Sequence, residues 1–196
     1  IWLVNFLTQG SAFVVVALLV ANLKRVLRRE ESLSRTDGLT GLFNSRAFYE
    51  GSQSLLTVCH RNRRIITLAY IDLDNFKRAN DTFGHLHGDS VLRKAAVIFR
   101  ENLRASDMAA RLGGDEFAFL LPETDAEGAK VVLEKIRQAL GQNPEFLKCG
   151  VTASIGAVTF PRAPLELEPV VKKADETMYK VKAQGKNRVL VETAGP

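Results

Sequence analysis

The chain has 196 residues, 46% of them hydrophobic, and a formal charge of +5, enough for one domain with a sizeable core plus an appendage. A basic balance can signal nucleic acid, but there is no zinc-finger spacing, no basic run interleaved with aromatics and no RNA-binding aromatic motif, so no nucleic-acid partner is expected. Cys59 and Cys149 stand alone without metal-ligand spacing and read as buried, reduced thiols of a cytosolic domain.

Residues 1–23 carry no charged side chain, and Ala12 to Ala21 is uninterrupted apolar sequence. About 20 apolar residues span a bilayer as a helix. Trp2 lies near one end and Lys24, Arg25, Arg28 and Arg29 follow the other, which predicts that the chain after residue 23 faces the cytoplasm. A signal-peptide core would carry its positive charge before the apolar run instead, and a buried soluble helix is the remaining alternative. Asn5, Thr8, Gln9 and Gly10 suit contact with neighbouring helices. The expectation is one transmembrane helix over 1–23 in the inner (cytoplasmic) membrane. Because the chain starts at Ile rather than Met, a sensor or further membrane helices are expected before it. Residues 24–35 continue as a charged helix with Leu23, Val26 and Leu33 at heptad-like spacing, interrupted by Glu30. That is either a stalk that pairs two chains or a solvated linker.

A third segment, 36–193, holds the domain. Thr36 to Leu42 is a turn-rich junction, and Asn44 or Ser45 caps a helix lined by Phe48, Leu55, Leu56 and Cys59. A strand from about Arg64 to Leu73 leads into Asp74, and period-2 alternation puts Asp72 and Asp74 on one side of it. Capping of the next helix by Asp74 or Asn75 is the plain alternative. It leaves Asp72 at the end of a buried run, where a carboxylate is costly unless paired or metal-bound. A helix from about Ser90 to Arg104 packs through Leu92, Ala95, Phe99 and Leu103. Met108 to Leu112 and Phe117 to Leu121 read as buried strands joined by Gly113-Gly114 in a tight hairpin. Glycine there supplies positive φ and lets a ligand lie against the backbone. Asp115 and Glu116 follow, beside Arg111. Gly-Gly-Asp also serves a plain polar turn, but two acidic strand ends in one small domain suggest a Mg²⁺ site, since that ion takes oxygen ligands and shares them with phosphates. Ala129, Val132, Leu133, Ile136 and Leu140 then share a helical face, and Val151, Ala153, Ile155 and Ala157 alternate as a strand. After Pro161 and Pro164 come a helix with Val171, Ala174, Met178 and Val181 inward and a strand from Asn187 to Val191.

Six motifs stand in order: Arg35-Thr36-Asp37-Gly38-Leu39-Thr40-Gly41-Leu42-Phe43-Asn44; Asp72-Leu73-Asp74-Asn75-Phe76-Lys77 with Asn80-Asp81; Phe83-Gly84-His85 with Gly88-Asp89; Arg111-Leu112-Gly113-Gly114-Asp115-Glu116-Phe117; Ser154-Ile155-Gly156; and Ala174-Asp175 with Tyr179, Lys182 and Gly185-Lys186-Asn187. In these the chain resembles a GGDEF domain, the diguanylate cyclase family, from about Ser34 to Val191. The resemblance implies an α+β fold with a ferredoxin-like, palm-like antiparallel sheet flanked by helices, preceded here by the transmembrane helix. It implies condensation of two GTP molecules into cyclic di-GMP with release of pyrophosphate, by a homodimer and with Mg²⁺ (Mn²⁺ as an alternative).

Carried over residue by residue, the resemblance puts metal binding on Asp72, the Leu73 carbonyl and Asp115, with Glu116 as a further acid at the metal or the attacking hydroxyl. The backbone around Asn75 and Phe76 and the side chain of Lys77 lie near the triphosphate, as do Lys182 and Lys186. The second of those is frequently Arg in the family, and Lys lacks the bidentate fork. Asn80 and Asp89 read guanine, although from the residues alone a turn residue and a helix cap explain them. Gly113 and Gly114 admit the nucleotide. Arg104 and Asp107 fit the family's RxxD product-inhibition site, which the residues alone would make a surface ion pair worth well under ~1 kcal/mol. A catalytically inactive receptor for GTP or cyclic di-GMP is the alternative, set against the intact acid set. A cyclase making another cyclic nucleotide is disfavoured by Asp89 and the RxxD match.

Overall fold

The computed structural model describes residues 16, 18–23 and 34–195, and the chain divides into two units, Ile1–Arg35 and Thr36–Pro196. In the first, a helical stretch α1 (residues 18–23) exposes Leu18, Leu19, Val20 and Leu23. The rest of the expected span over 1–23, Val16 apart, and residues 24–33 of the expected stalk lie outside the described residues. Among the described residues no helix is long and apolar enough to cross a membrane.

The second unit is built on one strand. β2 (Ile66–Asp74) is buried along its whole length, because it pairs antiparallel with β4 (Glu116–Pro122) on one side and with β5 (Thr152–Phe160) on the other. β3 (Met108–Gly113) continues antiparallel beyond β4. These four strands, in the order β3-β4-β2-β5, have the ferredoxin-like arrangement expected of a β-α-β-β-α-β chain. The sheet as a whole is mixed, which corrects the expectation of an antiparallel one: β1 (Phe43–Asn44) adds parallel to β3, and β6 (Val189–Thr193) adds parallel to β5. A parallel neighbour needs a crossover, and α7 (Leu167–Ala183) supplies it between β5 and β6.

Alternation along β2 feeds two helical layers. Ala69, Ile71 and Leu73 join the core beneath α3 (Phe76–Phe83), α4 (His85–Asn102) and α5 (Ala126–Gln142). Ile66, Leu68 and Tyr70 join the core beneath α2 (Ser45–Arg61) and α7. In the first layer Phe99 meets the rings of Phe117 and Phe119 edge-on, at 5.1 and 4.9 Å between centroids, a favoured geometry. Asn44 caps α2 by accepting from the Ala47 N–H at 2.9 Å. The helical faces expected on α2, α5 and α7 are those that face the core, with Leu55 and Val132 only half-buried.

Several boundaries differ from the sequence expectation. α4 begins at His85 rather than near Ser90, so Asp89 sits inside it and caps nothing. The hairpin turns on Gly114-Asp115 rather than Gly113-Gly114: Gly113 pairs with Glu116, and Gly114 takes φ +50°. A short helix, α6 (Pro144–Cys149), was hidden because its six residues carry no full amphipathic repeat. In β5, Ser154, Gly156 and Val158 are as buried as the alternating set, since α7 covers their face. Both cysteines are free and buried.

Gly156 is where α7 comes closest to the sheet. A Cβ there would collide with the backbone of Thr177 and Met178, whereas one at Gly38 meets nothing within 4 Å. Gly156→Ala should therefore destabilise the domain by roughly 2–3 kcal/mol, read as a lower denaturation midpoint, and Gly38→Ala should leave it nearly unchanged.

Candidate active site

Strand register assembles the acids. Asp72 stands directly opposite Glu116 across β2 and β4, and the Leu73 N–H donates to the Asp115 carbonyl at 3.1 Å. Asp72, Leu73, Asp115 and Glu116 thus meet where β2 ends and the β3–β4 hairpin turns. Asp72 is only 7% exposed, and its Oδ2 lies 2.6 Å from Lys182 Nζ on α7. Burial raises the Asp115 carboxyl above its ordinary value, and the charge of Asp72 raises it further, against the pull of Lys182 and Arg111. Glu116 is also raised, by burial and by the charges of Asp72, Asp115 and Asp175, while the neighbouring Tyr70 phenol opposes the rise. Burial, and then the nearby Glu116 carboxylate, push the Tyr70 phenol upward.

Among the described residues no three His, Cys, Asp or Glu side chains converge as metal ligands. The donor set nevertheless fits a hard divalent ion: neighbouring carboxylates disfavour each other's ionisation, and an ammonium already lies against one of them.

The hairpin is fixed from behind. Arg111 donates through Nε and an Nη to the Gly114 carbonyl at 2.9 and 2.8 Å and reaches Asp37 at 3.3 Å with its other Nη. Burial alone would raise the Asp37 carboxyl. The Thr40 hydroxyl and N–H, with Arg111, outweigh it and hold Asp37 below its ordinary value. Asp37 and Arg111 both stand in the sequence motifs, but no local pattern signals their link, which joins residues 74 positions apart. The only sequence signal for Tyr70 is that it is a lone tyrosine in an aliphatic strand.

Asp74 and Asn75 do not cap α3 with their side chains. Asp74, 2% exposed, accepts from Thr152 and Ser154 hydroxyls at 2.7 Å each and from the Asn187 N–H at 3.2 Å. Asn75 takes a left-handed φ of 63° at the head of α3. Its amide donates to the Gly150 carbonyl at 3.2 Å and accepts from Lys186 Nζ at 3.3 Å. Phe76 is in the core, so only its backbone faces this turn, while Lys77 is exposed. Asn80 Oδ1 is buried without a partner and abuts Gly88, the residue before Asp89. Gly113 and Gly114 are exposed, with nothing within 4 Å of an added Cβ.

Arg104 and Asp107 stand apart, at the far end of β3, roughly 17 Å of strand away. They do not form the surface ion pair that was the plainer alternative for them. The Arg104 N–H donates to Asp107 Oδ2 at 2.8 Å, and the Asp107 N–H returns to the Arg104 carbonyl at 3.0 Å. Both line a cavity of about 230 Å³ with Asn102, Val131, Val132 and Lys135.

Residues 34–188 match the family described as "Diguanylate cyclase, GGDEF domain". The chain belongs to that family. It is 32% identical over 186 residues to the probable diguanylate cyclase DgcT of Escherichia coli K12, covering 92% of this chain and 41% of that protein. It is 39% identical over 167 residues to the diguanylate cyclase DgcP of Pseudomonas aeruginosa, covering 84% and 24%. The chain therefore spans less than half the length of either. Among solved structures, the GGDEF domain of DgcB from Caulobacter crescentus in complex with c-di-GMP superposes with a TM-score of 0.73 at 32% identity, over 81% of this chain and 95% of that one.

Because the folded-state values of Asp115 and Glu116 are raised, their ionisation opposes folding. The stabilisation is present at low pH and is lost as pH rises through the raised values. Asp115→Asn should raise the melting temperature of metal-free protein by a few degrees near neutral pH, with the gain vanishing below about pH 4. An unchanged melting temperature at neutral pH would mean that Lys182 and Arg111 already cancel the repulsion.

Proposed function

We propose that the chain is a diguanylate cyclase, condensing two GTP molecules into cyclic di-GMP with release of pyrophosphate. The observation that carries this is the strand register, which sets Asp72 opposite Glu116 and bonds Leu73 to the Asp115 carbonyl at one strand end, with Lys182 against Asp72. Asp72, the Leu73 carbonyl and Asp115 would hold Mg²⁺ (or Mn²⁺), which would lower the pKa of the ribose 3′-hydroxyl and neutralise phosphate charge. Glu116 serves that ion or the attacking hydroxyl. The 3′-oxygen of one GTP gives up its proton and bonds to the α-phosphorus of the other as the bond to pyrophosphate breaks; the reciprocal attack, with loss of a second proton and a second pyrophosphate, closes the ring.

Lys77, Lys182 and Lys186, with the N–H groups at Asn75 and Phe76, bind the triphosphate. Asn80 and Asp89 select guanine, a carboxylate accepting from N1–H and N2–H₂; the unpartnered Asn80 Oδ1 is the kind of buried acceptor that a donor relieves. Exposed Gly113 and Gly114 leave room for the nucleotide. Each domain holds one GTP, so turnover needs two domains face to face, and a homodimer joined through residues 24–35 provides them. Arg104 and Asp107 bind cyclic di-GMP at the cavity they line, the guanidinium meeting guanine O6 and N7, and thereby inhibit synthesis. Residues 1–23 anchor the chain in the inner membrane with the catalytic domain in the cytoplasm. The uncharged run and the exposed apolar side chains of α1 support that anchor.

Incubation with GTP and Mg²⁺ should yield cyclic di-GMP by chromatography, falling at least about 100-fold in Asp115→Ala without loss of fold. GTP binding without product from a demonstrated dimer would favour a receptor instead. Arg104→Ala should keep initial synthesis and remove inhibition by added cyclic di-GMP. Inhibition that persists would take the inhibitory site away from this cavity.

A further inference from the structure

Asp74 has no part in the machinery described so far, yet it is more deeply buried than Asp72 and fully engaged. Its two oxygens take three donors from two segments: the Thr152 and Ser154 hydroxyls on β5 and the Asn187 N–H after α7. Lys186 and Asn187 are consecutive left-handed residues, with φ of 63° and 47°. Neither is glycine, and such backbone persists only where its surroundings hold it. The contacts that hold it are few. Asn187 gives its N–H to Asp74 and accepts from Arg137 at 3.1 Å through its side chain, the Lys186 N–H donates to the Val181 carbonyl, and the Lys186 carbonyl accepts from Arg188 Nε at a long 3.4 Å. The outcome is that Lys186 Nζ points at Asn75 Oδ1, 3.3 Å away, over the turn that leads into α3.

Resting on the GTP reading above, we propose that Asp74 is a positioning residue for substrate polyphosphate: it fixes the Lys186-Asn187 turn so that the Lys186 ammonium is held over the β2–α3 turn. Asp74 touches no substrate. It acts through Lys186. An aspartate suits the role because only a carboxylate accepts from two hydroxyls and an N–H together without itself requiring an acceptor. Asp74→Asn preserves shape but removes the charge and turns one accepting oxygen into an N–H₂, so that either a hydroxyl must reverse to accept or the Asn187 N–H loses its partner.

The test is calorimetric affinity for GTP and for GMP in the wild type, Asp74→Asn, Lys186→Met and the double variant, in the whole chain. GMP lacks the outer phosphates and serves as the control for general damage. The expected result is a roughly tenfold loss of GTP affinity in each single variant, little change for GMP, and a double variant no weaker than Lys186→Met alone. Equal losses for GTP and GMP, or a double variant weakened by the product of the single effects, would overturn the role. If Asp74→Asn does not fold, Thr152→Val removes one of the three donors at a half-buried position and should give the same pattern at several-fold; no selective loss there overturns the proposal equally. Wild-type protein that binds no GTP would overturn the nucleotide reading itself, a result distinct from GTP binding with independent effects of the two side chains.

Discussion

Electrostatic repulsion confined to one strand end is the constraint around which the domain is arranged. The register of β2 against β4 brings Asp72 opposite Glu116, and the Leu73–Asp115 backbone bond brings the hairpin acid alongside. Burial then raises the Asp115 and Glu116 carboxyls, and their neighbours raise them further. A fold does not tolerate such a cluster for stability's sake. It is held because β2 is clamped on both edges and both faces, and because Lys182 and Arg111 supply positive charge from two other elements. Apolar packing around β2 keeps the acids together.

The same clamping explains what was legible in the sequence. Asp72 and Asp74 could be put on one face of a strand because strand alternation has a fixed period, and the acids at Asp115 and Glu116 stood out because they follow two glycines between apolar runs. Local pattern also gave the inward faces of α2, α5 and α7. Recognition of the motif set, rather than periodicity, supplied the proposed roles of Asn80, Asp89, Lys182 and Lys186; for Asn80 and Asp89 a turn and a cap were the plainer explanations. Periodicity did not give the pairing of β6 with β5 or of β1 with β3, since neighbours in a sheet are chosen by tertiary packing.

Long-range polar links were the least legible. Asp74 looked like a helix cap because its partners, Thr152, Ser154 and Asn187, lie about 80 to 110 positions away. The grip of Arg111 on Gly114 is local, but its bond to Asp37 crosses the domain in sequence. The turn itself moved one residue, to Gly114-Asp115, so that the hairpin glycine with positive φ sits next to the acid it presents. Arg104 and Asp107 show the opposite case: an arginine and an aspartate three apart suggest an ion pair, yet a backbone N–H takes the carboxylate and leaves the guanidinium exposed beside a cavity.

The most direct test of the central claim, that this acid cluster is a divalent-cation site for nucleotide chemistry, is Mn²⁺ binding followed by electron paramagnetic resonance. It would be titrated with a GTP analogue that cannot react, in the wild type and in Asp72→Asn. The account predicts nucleotide-dependent Mn²⁺ binding in the wild type and its loss in Asp72→Asn, with the fold retained. Equal Mn²⁺ binding by the two proteins would contradict it, because the register that brings Asp72 to Asp115 and Glu116 would then serve some purpose other than holding a metal.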